Sequence, residues 1–302
     1  MIGLIFTCIS LCLTSLVIPS YGVMPCKCVA FRLEDVQDFF NTQQQETIID
    51  TFVGTHTKLT IGVIGGNIGR DFQFVSDLQN ASTTQYLEFA NHGYNHERFT
   101  QFSEKDQAGL LVKTDKIMHD LFGKMPVTFI PPFDEFNNDT VIAMHEANLS
   151  VISAFDWSDT IKFDSANRAM HIPGNVEFSD YDESTHSWID IPENIMEANM
   201  TTAVARDGYA ILAMHPNNYD ANIQKITDII TFVKQSGYEI ETVSEIANYY
   251  SHSVPIYIQE YPYKETDNPL IIIGLGLSMT IIFMTDRMNK KRNNVRKPNQ
   301  IN

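Results

Sequence analysis

The sequence predicts an α/β protein: a distorted (β/α) barrel of about seven strands in a single domain, with hydrophobic segments at both termini. Three observations predict it. Short apolar runs alternate with longer amphipathic stretches from about residue 28 to residue 250, with no linker, repeat or low-complexity segment between them. Hydrophobic residues make up 43% of the 302 and aromatics 11%, enough for one sizeable core. Unusual polar residues recur directly after the apolar runs, at the C-terminal strand ends where β/α barrels gather functional groups.

The strand candidates, in order, are residues 28–33, 58–64, 86–90, 127–130, 151–155, 209–214 and 238–242, each a short run rich in β-branched and aromatic residues. Amphipathic spacing predicts helices over 36–52, 103–122, 139–147, 193–206, 222–235 and 243–250. Ser103, three residues before Asp106, is placed to cap its helix, and Gly123 and Gly237 are placed as C-terminal stops. Residues 157–191 fit no regular pattern and read as a long loop carrying short strands.

The two ends differ from this middle. Residues 1–22 read as a signal peptide or N-terminal anchor, with Ser20 and Gly22 near a cleavage point and no basic residue ahead of the apolar run. Residues 269–285 are uncharged and long enough for a short transmembrane helix. Arg287, Lys290, Lys291, Arg292, Arg296 and Lys297 follow it. By the positive-inside tendency, the 286–302 tail is cytoplasmic and the 26–262 domain extracytoplasmic, anchored in the cell membrane. Four sequons, at Asn80, Asn138, Asn148 and Asn199, agree with an external domain.

Charge and cysteine content exclude several functions. With 21 Lys and Arg against 37 Asp and Glu, the net charge of −16 leaves no basic footprint for nucleic acid. The four cysteines (Cys8, Cys12, Cys26, Cys28) all lie near the N-terminus, so neither a disulfide scaffold nor a cysteine-ligated zinc module organises the body.

Five polar clusters remain: Glu34-Asp35, His92-Gly-Tyr-Asn-His96, Pro131-Pro132-Phe133, Asp156-Trp157 and His215. Each follows a predicted strand, so all five converge on one rim. The histidine spacing is not that of a helical zinc protease, because Gly93 stands where that mechanism needs Glu. Asp35, His92 and His96 are a sufficient set for a divalent cation with positions open to water and substrate.

These clusters, in this order, resemble the polysaccharide deacetylases, also called the NodB-homology domain or carbohydrate esterase family four. The resemblance extends over roughly residues 28–250. It implies that Asp35, His92 and His96 hold a divalent metal, zinc foremost, with cobalt or another divalent ion in its place. It implies further that Glu34 is the general base and His215 the general acid, oriented by Asp156. Pro132 and Phe133 would form the oxyanion side of the site and Trp157 a wall. The implied reaction removes N-acetyl or other N-acyl groups from a cell-surface amino-sugar polymer or glycan.

Three positions depart from the family pattern. Glu34 replaces the usual Asp, Ile130 stands where an Arg normally tethers the base, and Ala213 replaces a Leu beside the acyl pocket. Without that Arg the Glu34 carboxyl is expected to have a raised pKa and to reach the water untethered. Ala213 suggests a wider acyl pocket. The same departures support the alternative of a catalytically impaired, metal-containing module that binds glycans.

Overall fold

The computed structural model describes residues 26–155, 162–164 and 168–253, all within one compact unit, 1–260. The N-terminal segment, Asp156, Trp157, the 269–285 segment and the basic tail lie outside the described residues. Among the described residues, no helix is long and apolar enough to cross a membrane.

Strand β1 (Cys28–Val36) shows how the sequence builds the architecture. Side chains alternate across a strand with a period of two. Val29, Phe31 and Leu33 join the large core under the helices, whereas Cys28 and Ala30 join a second apolar cluster on the other face. Further along that second face come Arg32 and Glu34. The inner face of the sheet therefore changes from apolar to charged toward the C-terminal strand ends.

The remaining strands are β2 (Leu59–Val63), β3 (Leu87–Asn91), β4 (Thr128–Phe129), β5 (Val151–Ile152), β6 (Lys162–Asp164), β7 (Ala169–His171), β8 (Val176–Glu177), β9 (Ser179–Asp182), β10 (Ser187–Asp190), β11 (Tyr209–Met214) and β12 (Glu239–Ile240). The main sheet runs β6-β7-β5-β4-β3-β2-β1-β11-β8, with β12 paired to the start of β1. Every pairing in it is parallel except β6 with β7. One run of chain curls this sheet. Its first part, β7, pairs with β5; Gly174 N–H then donates to Ala154 O at 2.9 Å; its last part, β8, pairs with β11. Strands β9 and β10 form a separate antiparallel hairpin.

Among the described residues the α-helices are α1 (Thr42–Gly54), α2 (Phe72–Ser82), α3 (Glu104–Phe122), α4 (Asn138–Glu146), α5 (Glu193–Asp207), α6 (Ile223–Gln235) and α7 (Val243–Ser253); all but α5, which follows the β9–β10 hairpin, come after strands of the main sheet. The Ser103 hydroxyl accepts from Asp106 N–H, and Gly123 closes α3 at φ 64°, both as the sequence predicts. Val243, Ile246 and Tyr250 of α7 pack into the cluster of Ala30, Tyr209 and Ile211, plugging the apolar end of the curled sheet.

Two predicted features are corrected. The first helix begins at Thr42 rather than at residue 36, because Asp35, Phe39 and Asn41 all adopt positive φ and keep 37–41 irregular. Helix α2 is absent from the predicted set. Its start carries the 83% exposed Phe72, which blurs the apolar stripe of Phe74, Val75 and Leu78. The cap is legible, since Asp71 accepts from Phe74 N–H at 3.2 Å.

Candidate metal and acid–base site

The β1–β2 pairing shifts register between Leu33 and Val36, and Asp35 sits in that irregularity at φ 58°. Such a bulge re-aims one side chain out of the ladder. His92 follows directly on β3, and the loop to His96 turns through Gly93 at φ 76°, where a Cβ would strike Glu97 Oε2 at 2.9 Å. This loop is held from several sides. Asn91 Oδ1 accepts Gly93 N–H at 2.9 Å, Thr114 Oγ1 donates to Gly93 O at 3.0 Å, and Glu97 Oε2 accepts the N–H groups of Tyr94 and Asn95.

These local devices bring the predicted ligand set together. Asp35 Oδ1 lies 3.4 Å from His92 Nε2 and 3.2 Å from His96 Nε2, and one donor atom from each residue lies within 4.8 Å of the others. Metal–ligand bonds of about 2.0–2.2 Å around a tetrahedral ion separate the donors by roughly 3.3–3.6 Å, so the spacing fits a divalent cation. His92 Nδ1 is 2.7 Å from Ile130 O, which fixes it as the N–H and leaves Nε2 as the lone pair. That Nε2 is buried and makes no hydrogen bond, as a ligand atom should. Burial opposes ionisation of Asp35, but the close approach of the His92 imidazole, with His215 and His96 nearby, holds it well below the usual carboxylate range.

Beside the trio stands a group that motif matching misses. Arg32 is fully buried on the inner face of β1 and donates from Nε (3.0 Å) and Nη2 (2.6 Å) to the same oxygen, Oε1, of Glu34. Its Nη1 donates to the carbonyl and hydroxyl of Ser153 at 2.7 and 2.9 Å. Gly174 makes room for it: a Cβ there would meet the guanidinium nitrogens at 3.2 and 3.3 Å. The expectation of an untethered base is therefore corrected. The Arg absent at Ile130 is replaced by one two residues before the acid, on the same strand face. The expected upward shift reverses too. Burial alone would raise the Glu34 pKa, but Arg32, then His215 and His92, bring it below the ordinary value.

Two further carboxyls surround this pair. Asp134 Oδ1 lies 3.7 Å from Arg32 and accepts the N–H of Phe155. Glu177, on β8, is pushed up to about 7 by burial and by the charges of Asp180, Asp134 and Glu34. Register places Ala213 between Arg32 and Glu177, so its small side chain lies between two larger polar groups.

His215 follows β11 and lies within electrostatic reach of both Glu34 and Asp35. Its buried Nδ1 has no hydrogen-bond partner among the described residues, and Asp156, the expected partner, lies outside them. Trp157 lies outside them as well. The indole of Trp188, on β10, packs 4.6 Å from the His215 ring, and no sequence motif points to it. Pro132 is buried, and the Phe133 ring lies 4.6 Å from that of His96, with the Arg98 guanidinium 4.0 Å from its centre. Phe133 and Asp134 have φ of 60° and 55°, a left-handed turn that sets this segment over the trio.

Comparison with known proteins finds likenesses to the chain's fold. Residues 22–152 match the polysaccharide deacetylase family model. That stretch includes Glu34, Asp35, His92, His96, Pro132 and Phe133, while His215 lies beyond it. No curated protein matches the chain significantly. Among solved structures, the chain is similar to the Xyl-CE4 domain of a multidomain xylanase from the hindgut metagenome of Trinervitermes trinervoides, at 20% identity and a TM-score of 0.53, over 76% of this chain and 94% of that one. It is also similar to a family 4 acetyl xylan esterase from Clostridium thermocellum in complex with cobalt, at 19% identity and TM-score 0.53, over 76% and 93%. A third is a CE4 family pseudoenzyme from Bacillus anthracis, at 16% identity and TM-score 0.53, over 74% and 66%. These likenesses establish a shared fold.

Proposed function

We propose that this protein is a polysaccharide deacetylase: a metal-dependent hydrolase that removes N-acetyl or other N-acyl groups from a cell-surface amino-sugar polymer. One observation carries the reading. Asp35, His92 and His96 converge at metal-ligand spacing with a clamped carboxylate, Glu34, on one side and His215 on the other. A divalent cation held by the trio, zinc by its nitrogen and oxygen donors with cobalt as a substitute, supplies Lewis-acid polarisation and acidifies a water at neutral pH.

The protein's own groups do the rest. Glu34 takes the proton from the attacking water through Oε2, since Oε1 is occupied by Arg32. His215 protonates the departing amine, with Asp156 assigned to its buried Nδ1. The Phe133 N–H serves the developing oxyanion, Pro132 fixes that turn, and Trp157 walls the site. The domain works outside the cell membrane, held by the 269–285 segment with the basic tail inside and residues 1–22 as signal peptide or anchor. Protease added to intact cells should then remove the domain and spare the tail.

The likeness to a pseudoenzyme favours a second reading, a metal-containing glycan-binding module without turnover. The deciding experiment is metal analysis of the purified protein with an acetate-release screen over chitin oligomers and peptidoglycan fragments. Zinc at one equivalent with acetate release supports the hydrolase. Binding without release supports the module.

A further inference from the structure

Next to His215 lies a cavity of about 380 Å³ lined by Asn41, Gln44, Trp188, Asn217, Asn218 and Tyr219. Its size is within the roughly 300–1,000 Å³ usual for small-ligand sites. Two aromatic rings and four carboxamides make up the lining, with no charged side chain among them. The cavity is built in place. The Trp188 ring is wedged between Tyr181 (5.2 Å) and His215 (4.6 Å). Asn41 Nδ2 donates to Pro216 O at 2.7 Å, Gln44 Nε2 to Asn218 Oδ1 at 2.9 Å, and Asn217 Nδ2 to Ser179 Oγ at 3.0 Å. These bonds use only part of the amide capacity. Among the described residues, Asn41 Oδ1, Gln44 Oε1 and Asn218 Nδ2 make no hydrogen bond, which leaves acceptors and a donor for a ligand.

Flat apolar rings with planar amides at their edges match a pyranose, whose axial C–H faces stack on aromatics while its hydroxyls take mixed donor and acceptor partners. We propose that this cavity is a subsite for a neutral sugar unit, adjoining the reacting sugar on the His215 side. The proposal rests on the deacetylase reading and deepens it. The substrate is a neutral glycan of at least two units, and an anionic glycan is disfavoured. A uronate or sulfate would meet no cation in this lining, and a chain of net charge −16 repels polyanions besides.

The test uses full-length, zinc-loaded protein. Calorimetry is done in a Glu34→Gln background to suppress turnover, with chitotetraose, N-acetylglucosamine and a hyaluronan tetrasaccharide as probes. Asn218→Ala removes an exposed side chain and Gln44→Ala a half-buried one, and both should leave the melting temperature unchanged. Each is expected to weaken chitotetraose binding about five- to tenfold, the loss of one or two hydrogen bonds, without changing the monosaccharide. In the otherwise wild-type enzyme each should raise KM for the tetramer by a similar factor at constant kcat. Hyaluronan tetrasaccharide should bind at least tenfold more weakly than chitotetraose. Absence of chitotetraose binding, unchanged affinity in both variants, or equal affinity for hyaluronan overturns the subsite. Binding that depends on Asn218 with no acetate release by wild type keeps the subsite and removes the hydrolase reading. Acetate release with KM insensitive to both variants does the reverse.

Discussion

Replacing Arg32 with Met tests the arrangement at its most unusual point. The guanidinium is fully buried, Glu34 is only 6% exposed, and the two share hydrogen bonds of 2.6 and 3.0 Å. Breaking such a pair from one side strands a buried charge, which costs about 3–5 kcal/mol of stability. For a domain of this size that is a fall in melting temperature on the order of 10 °C. The catalytic effect has a definite sign. Arg32 is the strongest influence holding the Glu34 pKa down, against burial that pushes it up. Without Arg32 that pKa rises, so the acidic limb of the rate–pH profile moves to higher pH. The freed carboxylate also loses its fixed orientation, and acetate release should fall by about a hundredfold or more, within the usual range of general-base catalysis. Arg32→Lys keeps the charge but not the fork and should lie between. Acetate release followed from pH 5 to 9, with thermal melts on the same samples, measures all three effects. A folded Arg32→Met enzyme with wild-type rate and an unmoved acidic limb would falsify the clamp.

Other substitutions probe the rest of the site. His92→Ala or His96→Ala should leave a protein without its stoichiometric metal, read by elemental analysis, and abolish acetate release, because two protein ligands do not retain a catalytic ion against water. Glu34→Gln should retain the metal while turnover drops about a hundred- to ten-thousand-fold; an active variant would place the base elsewhere. Asp115, buried against Asn91 with its pKa pushed up to about 7 by desolvation, gives a pH test away from the ligands. Between its ordinary value near 3.8 and 7 the folded protein holds a proton that the unfolded chain releases. Stability should therefore decline over that window by something on the order of 2–4 kcal/mol and level off above it. Asp115→Asn should flatten this slope in urea titrations at pH 5 and 8, and an unchanged slope would show that Asp115 ionises freely in the fold.

What the sequence discloses and what it hides divide along a physical line. Asp35, His92 and His96 are legible because ligands at strand ends stand in fixed register with their own strands. The seven predicted strands are legible by the same local logic, although three of them, β4, β5 and β12, shorten to two residues in the structure. Arg32 needs a different kind of reading. An arginine inside the apolar run CVAFRL must find a buried anion, and the period of two puts Glu34 on its face, although the family pattern carries its Arg at the place of Ile130 instead. Trp188 and Glu177 lie in a segment of two- to four-residue strands whose placement comes from partners far away in sequence, so no local pattern announces them. The irregular backbone at 37–41 is set by positive φ at non-glycine residues, which composition does not reveal.

The parallel order of the main sheet also fixes when the pieces of the site exist. Strand β1 has β2 on one side, close in sequence, and β11 on the other, which is translated nearly a whole domain later. All three proposed metal ligands belong to the β1-β2-β3 stretch, within the first 96 residues. Ser153 and Gly174, which seat Arg32, and His215, which faces Glu34, come from the later half. A nascent chain thus completes the proposed cation-binding half-site well before it has the proposed acid–base pair to go with it. Long-range pairings such as β1 with β11 are slow steps in folding. On the proposed reading, ion capture precedes closure, and the acid–base half is assembled around a centre that is already loaded.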